Sequence, residues 1–349
     1  MKAAVLYAPG DLRYQDVPMP ADPAPGEAII RVKAAGICGS DLDRVMHTGT
    51  YHFPCIPGHE FCGEVYKLGE RASELQPGDR VVVAPIFPCY QCESCQKGDF
   101  GLCENYDYLG SRRDGGFAQY VKAPVSNLIK MPDNVSDMEG AAVEPAAVTL
   151  HGIKRIQIQS GDCVVVLGCG TIGLFAIQFA RIMGAGSVVA VDVDETKLEQ
   201  AKTAGATSLV NSNAADPIDT IATMTGGRMA DVCVETAGIS ITQEQAVRAV
   251  RKGGRILYLG TAHRDVVFPS KTFERIVRNE LTATGSWNSF SAPFPGTEWK
   301  AVLGYLSDGR LQIKPYISHT FPLEMAPGTI ADLAARKYTF TKVVLQMEP

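Results

Sequence analysis

Apolar positions change their rhythm about 150 residues into the chain. Before that point they fall in short runs that alternate with polar residues: "GEAIIRVKAAG", "GEVYKLGE", "PGDRVVVAP" and "GGFAQYVKAP", each bounded by Gly or Pro. A period of two turns one face of an extended segment inward, so these runs predict strands in a mostly β region. From "DCVVVLGCG" onward the pattern differs. "VVVL" (164–167) is a continuous apolar run, and "TIGLFAIQFARIMG" (171–184) has helical spacing and ends on Gly. "SVVAVD" (187–192) is apolar again, and "DETKLEQAKTAG" opens acidic and closes on Gly. "SLVN", a polar helix near 216–224, "DVCVETAG", a helix near 241–250, "RILYLG" and "LTATGSW" follow. Strands alternating with helices at this spacing predict a doubly wound parallel sheet with room for about six strands between 160 and 287.

The tail, 288–349, shows one helix ("TEWKAVLGYLSDGR"), a Pro-rich connection and a last strand, "KVVLQM". It is too short for a core of its own and is expected to pack back on the first region. The expected organisation is therefore one domain from 1–150 plus 288–349, with 151–287 inserted as a second domain.

Composition narrows the classes. The chain has 349 residues, 46% of them hydrophobic, enough for two cores. A formal net charge of −5 without a basic run argues against nucleic acid or an anionic membrane as partner. No apolar run approaches the roughly 20 residues that a membrane span needs. The start, "MKAAVLYAPGDLRY", has a Pro-Gly turn where the apolar stretch of a signal peptide would continue, so a cytoplasmic location is expected. In that reducing compartment, clustered cysteines point to metal rather than to disulfides.

Four of the ten cysteines, Cys89, Cys92, Cys95 and Cys103, form C-x2-C-x2-C-x7-C inside "PCYQCESCQKGDFGLC". Four thiolates fill the tetrahedral sphere of Zn²⁺ and leave no open position, which argues for a structural ion; an iron–sulfur site is the rival. The second motif is G-x-G-x-x-G at Gly168, Gly170 and Gly173, with Ile172 between the last two. It follows a strand, opens a helix, and Asp192 stands nineteen positions after its last Gly. That context predicts a dinucleotide site: a tight turn, close approach of backbone to pyrophosphate, and a carboxylate for the adenosine ribose. The acidic Asp192, with no Arg directly after it, favours NAD over NADP.

A third set is dispersed. "GICGSD" offers Cys38, "PGHEFCGEV" offers His59 and Glu60, and "AAVEPAAVTLHG" offers Glu144. Three protein ligands with a fourth position open to water or substrate describe a catalytic zinc. The plain alternative is a buried Cys and a satisfied core His. Arg112–Arg113, in "YLGSRRDGGFAQY", could clamp a phosphate or be an ordinary solvated turn. The stretch "GSWNSFSAPFPGTEW" has hydroxyls, amides and aromatics suited to a polyol, or to a domain junction.

Taken in order, "GICGSD", "PGHEFCGEV", the cysteine loop, "VVVLGCGTIG" and "VETAG" resemble the zinc-dependent medium-chain dehydrogenases over nearly the whole chain. The resemblance implies a chaperonin-10-like β-rich catalytic domain, an inserted Rossmann domain and a cleft between them. It implies one catalytic and one structural zinc, and a homodimer or homotetramer. Ser40 falls where that family carries a relay hydroxyl, and His47 is a candidate next station. The alcohol-dehydrogenase branch has a Cys as third catalytic ligand; Glu144 in "VEPAAV" resembles the polyol branch instead, with Glu60 as the competing carboxylate. The expected activity is oxidation of a secondary alcohol of a sugar-alcohol phosphate with hydride transfer to NAD. An unphosphorylated polyol or threonine as substrate, and a non-catalytic zinc- and NAD-binding module, are the alternatives.

Overall fold

The computed structural model describes residues 1–70, 74–262 and 264–347. The chain packs as two compact units. One comprises Met1–Pro145, Phe290–Gly309 and the chain from Ile313 on; the other comprises Ala146–Ser289 with Arg310–Gln312.

The first unit is built on a seven-stranded sheet. Its order is Ile317–Pro322, Lys342–Gln346, Glu27–Ile37, Glu60–Leu68, Arg80–Val83 and Leu128–Lys130, with Tyr120–Pro124 pairing a second stretch of Glu27–Ile37. The alternating residues that predicted these strands supply the core: Ile30, Val32, Phe61, Val81, Phe117 and Leu345 are buried. The last strand lies antiparallel on Glu27–Ile37, with Val343 opposite Ile37 and Leu345 opposite Ala35. This pairing brings the chain's last segment beside Cys38.

The tail holds more structure than its sequence suggested. Besides Thr297–Ser307 it forms the strand Ile317–Pro322 and a second helix, Ala326–Ala334. Pro327 looked like a breaker, but it sits in the first helical turn, where the missing N–H is not needed. The helices Val143–Ile156 and Ser270–Arg278 were likewise not apparent from the apolar pattern.

The second unit is the doubly wound sheet. Its six parallel strands run in the order Ser208–Asn211, Ser187–Asp192, Cys163–Leu167, Ala230–Glu235, Val250–Tyr258 and Thr282–Gly285. Central strands buried on both faces read as unbroken apolar runs, as Val164–Leu167 does. Helix starts are capped by side chains: Asp194 accepts from the Thr196 and Lys197 amides, and Asp216 from Ile218 and Asp219, with Pro217 in the first turn. Among the described residues, no helix is long and apolar enough to cross a membrane.

Buried Asp231 ties the start of this sheet together. It accepts the Cys163 amide at 2.9 Å, the Arg228 guanidinium at 2.6 and 3.0 Å and Arg251 Nε at 2.6 Å. Burial works to raise its pKa, but Arg228, the Cys163 amide and Arg251 outweigh it and bring it down to about 2. A carboxylate depressed in the folded state stabilises fully above its unfolded pKa of about 3.9, and that stabilisation is lost as pH falls through the folded value. Asp231→Asn should therefore be less stable than the wild type above about pH 4. Denaturant unfolding should show the difference shrinking as pH falls towards 2, and a pH-independent difference would contradict the assignment.

Candidate active site and nucleotide site

The glycine loop of the second unit has the features its spacing predicted. Gly168 takes φ +93°, and its amide donates to Val191 O at 2.8 Å. A side chain on Gly173 would run into the Gly168 carbonyl oxygen, whereas a Cβ on Gly170 would meet nothing within 4 Å. The loop is thus tight where helix meets strand and open where a phosphate would approach. Gly170 caps the helix Thr171–Ile182, so the helix N-terminus and Ile172 border that open side. Asp192 ends its strand and accepts the amides of Cys169, Val193 and Asp194 at 2.7, 2.8 and 3.0 Å. Its carboxylate is held in one orientation beside the loop.

The sequence reading did not single out two neighbours of this loop. The Thr236 hydroxyl donates to the Gly168 carbonyl at 2.8 Å. Glu235, fully buried, uses Oε1 to accept the amides of Ala237 and Gly238 and the Thr242 hydroxyl, while its Oε2 has no hydrogen-bond partner. Both residues lie in "VETAG", whose Gly after a strand was the available signal.

In the first unit, one atom each from Cys38, His59 and Glu60 lies within 4.8 Å of the other two. Cys38 ends the strand Glu27–Ile37 and caps the short helix Gly39–Asp43; His59 directly precedes the strand Glu60–Leu68. The strand pairing therefore delivers both. Glu144, 6% exposed, stands at the start of Val143–Ile156 and accepts the Tyr108 hydroxyl at 3.3 Å. The Tyr108 ring lies 5.8 Å from that of His59.

The two carboxylates differ in their partners. Glu60 forms a fully buried ion pair with Lys342, whose ammonium also reaches Ile37 O at 3.2 Å. Gly36 leaves the space: a Cβ there would sit 2.6 Å from Lys342 Cε. Glu144 has no direct ion pair among the described residues. Burial pushes its carboxyl up to about 7, against the pull of His59, Lys342 and the Tyr108 hydroxyl and with the added push of Glu60.

Asp41, fully buried, accepts the Cys38 amide at 2.9 Å and places Oδ1 3.3 Å from His59 Nδ1, with Arg44 at 3.7 Å. Burial would lower the pKa of His59, but the Asp41 carboxylate raises it well above the usual value. Without a metal ion the Asp41 carboxylate thus favours the proton on this imidazole, and a metal bound here would have to displace it. Asp41, Tyr108 and Lys342 escaped the sequence reading. Asp41 was visible in "GICGSD"; Lys342 carried no local signal. Ser40 and His47 are exposed, and Ser40 follows Cys38 by two residues on the helix Gly39–Asp43.

The four-cysteine loop converges. Cys89 Sγ lies 4.0 Å from Cys95 Sγ, and Cys92 Sγ 3.9 Å from Cys103 Sγ. Disulfide sulfurs would be about 2.05 Å apart. Zn–S bonds of about 2.3 Å in a tetrahedron put the sulfurs roughly 3.8 Å apart, so the four fit one ion. Amides of Gln91 and Cys92 point at Cys89 Sγ and pull its pKa down to about 6. The rings of Tyr90, Phe100 and Phe294 pack edge-to-face beside the cluster.

Of the two arginines, Arg113 is paired with Asp107 at 2.7 Å. Arg112 lies over two rings, its guanidinium carbon 3.9 Å from the Tyr51 centroid and 4.7 Å from that of Tyr106, and its buried Nε has no partner among the described residues. Tyr106 packs against Tyr108, which borders His59 and Glu144.

Comparison with known proteins agrees with both units. The alcohol dehydrogenase GroES-like domain matches residues 24–133, and the zinc-binding dehydrogenase domain matches 171–306. The chain belongs to the zinc-dependent medium-chain dehydrogenases. It is 36% identical to galactitol 1-phosphate 5-dehydrogenase of Escherichia coli over 96% of each chain, and 33% identical to sorbitol dehydrogenase of Bacillus subtilis over 99% of this chain and 97% of that one. The crystal structure of the E. coli galactitol-1-phosphate dehydrogenase superposes with a TM-score of 0.94, at 36% identity over 99% and 100% of the two chains. A zinc-binding dehydrogenase of Sinorhizobium meliloti bound to NADP superposes at 0.92, with 32% identity over 99% and 98%. This medium-chain dehydrogenase is thus a zinc-type alcohol or polyol dehydrogenase that uses a pyridine nucleotide.

Gly173→Ala tests the loop. Overpacking of this kind costs about 1–3 kcal/mol. Calorimetry should show a lower unfolding temperature, and NADH fluorescence should show binding weakened at least tenfold. Unchanged binding would mean that the loop does not carry the nucleotide.

Proposed function

We propose that this dehydrogenase oxidises a secondary alcohol of a sugar-alcohol phosphate to the ketose phosphate and passes the hydride to NAD, with galactitol 1-phosphate giving tagatose 6-phosphate. The observation that carries the reading is the donor set of half-buried Cys38 with buried His59 and Glu60, near which Glu144 is buried with no direct ion pair among the described residues. Cys38, His59 and Glu144 would hold the catalytic zinc, Glu144 directly or through a water. Glu60, though nearer to Cys38 and His59, already has its charge met by Lys342 and would be the exchanging carboxylate. Zinc bound there supplies a Lewis acid that lowers the pKa of an alcohol hydroxyl.

The chain's own groups do the rest. Asp41, with Oδ1 3.3 Å from Nδ1 but outside hydrogen-bond geometry, would orient the His59 imidazole by its charge. Ser40, exposed and two residues after Cys38, would take up the hydroxyl proton, and His47, also exposed, would pass it to water. Arg112 is the proposed phosphate contact: its guanidinium lies over the Tyr51 and Tyr106 rings, while Arg113 is already paired with Asp107. The chain identity shared with the galactitol 1-phosphate enzyme supports the phosphorylated substrate; that shared with the sorbitol enzyme supports the alternative of a free polyol.

In the second unit, Gly168, Gly170, Gly173 and Ile172 would border the pyrophosphate and Asp192 would accept from the adenosine ribose. Its charge opposes a 2′-phosphate, which supports NAD over NADP. Cys89, Cys92, Cys95 and Cys103 would hold a second, structural zinc. A cytoplasmic location fits ten cysteines that are all free thiols. A homodimer or homotetramer fits the outer edge of the strand Thr282–Gly285, open among the described residues, with Phe273 and Val277 exposed on the preceding helix.

Cys38→Ala and His59→Ala should each lower turnover at least a thousandfold while NADH fluorescence shows cofactor binding intact; near-normal activity in either would remove the mechanism. Galactitol 1-phosphate should exceed galactitol in kcat/KM by at least a hundredfold, and Arg112→Gln should erase most of that margin through KM. Equal efficiencies would replace the phosphate reading with the free polyol. Cys92→Ser should lose thermal stability first, with activity falling only as the protein unfolds. Full stability with lost catalysis would reverse the two metal assignments.

A further inference from the structure

The sheet of the second unit has a concave feature at the end away from the glycine loop. Its register runs from Ala230 opposite Val250 to Glu235 opposite Tyr258, and Leu167, next to the loop, pairs with Glu235. At about 3.3 Å per residue, the Ala230 end lies on the order of 16 Å from the Glu235 end. There the structure has a cavity of about 460 Å³ lined by Arg228, Arg248, Arg251, Lys252 and Arg275 beside Ile218.

Five cations in one cavity are unusual in a chain of net charge −5. Two carboxylates answer them. Asp231 is shared by Arg228 and Arg251, and Glu244 approaches Arg248 at 3.7 Å while also accepting the Thr272 hydroxyl. Lys252 has no ion-pair partner among the described residues. Among the described residues, Arg275 donates one weak bond, to Arg248 O at 3.4 Å, and its buried Nε has no acceptor. The surplus is three positive charges and one buried N–H without a partner. Burying a donor without an acceptor is unfavourable, and guanidinium groups are suited to phosphate oxygens. Asn279, also in the lining, adds an amide that can donate to the same ligand.

We propose that this cavity binds a small, multiply charged phosphate compound, at a site separate from the nucleotide loop and from the Cys38–His59 centre. Arg275 and Arg248 contact the anion, Lys252 adds charge at the rim, and Asp231 fixes Arg228 and Arg251 as the wall. The inference stands whether or not the substrate is phosphorylated.

The probe is inorganic phosphate, titrated calorimetrically into the zinc-loaded Arg112→Gln protein saturated with NADH. That background fills the nucleotide loop and removes the proposed phosphate contact of the active site. Ionic strength is held constant with chloride. The expected result is a binding isotherm that Arg248→Gln weakens at least tenfold. Because the Arg248 side chain is 39% exposed, the unfolding temperature should stay unchanged. Arg275→Gln should weaken binding likewise. No heat beyond the chloride control overturns the proposal, as does an affinity that Arg248→Gln leaves intact. Loss in Arg275→Gln alone, with a lowered unfolding temperature, marks a packing defect and overturns it too.

Discussion

Three carboxylates, Asp41, Glu60 and Glu144, are buried in one unit with between 0% and 6% of their surface exposed. A buried carboxylate must be met by positive charge and hydrogen bonds, or it takes up a proton. The first unit meets this constraint unevenly. Glu60 has Lys342, Asp41 has the Cys38 amide, His59 and Arg44, and Glu144 has the Tyr108 hydroxyl with no direct ion pair among the described residues, His59 and Lys342 acting on it from further off. The remaining deficit lies beside a thiol and an imidazole. A divalent cation held there would meet it, and the proposed chemistry grows from that place.

The fold exists, from this viewpoint, to bring distant charges together. Lys342 reaches Glu60 because the last strand pairs with Glu27–Ile37, and Cys38 and His59 border the site because they flank neighbouring strands. The tail is thus part of the site as well as part of the core. In the second unit the same economy recurs with opposite sign. Asp231 gathers arginines at the start of the strands, while Glu235 and Asp192 organise backbone amides at their ends.

Much of this was legible in the chain. Period-two runs marked the β unit, and unbroken apolar runs separated by helical spacing marked the doubly wound sheet. Cysteine spacing and G-x-G-x-x-G are local patterns with strict geometry, and so could be read one residue at a time. The rest depended on long-range packing. Nothing near Lys342 announces a partner 282 positions away, and the helix Ala326–Ala334 hides behind a proline that its first turn tolerates. The roles of Arg112 and Arg113 also diverge only in three dimensions, because Asp107 takes one and two tyrosines take the other.

The central claim is that Glu144, the carboxylate with no direct ion pair among the described residues, completes the catalytic zinc site, and that Glu60 is held by Lys342. Metal content per chain, measured by mass spectrometry on the purified wild type, Glu144→Gln and Glu60→Gln, tests it most directly. The account predicts two zinc ions in the wild type and in Glu60→Gln, and loss of one in Glu144→Gln. Retention of both ions in Glu144→Gln, with loss of one in Glu60→Gln, would contradict it.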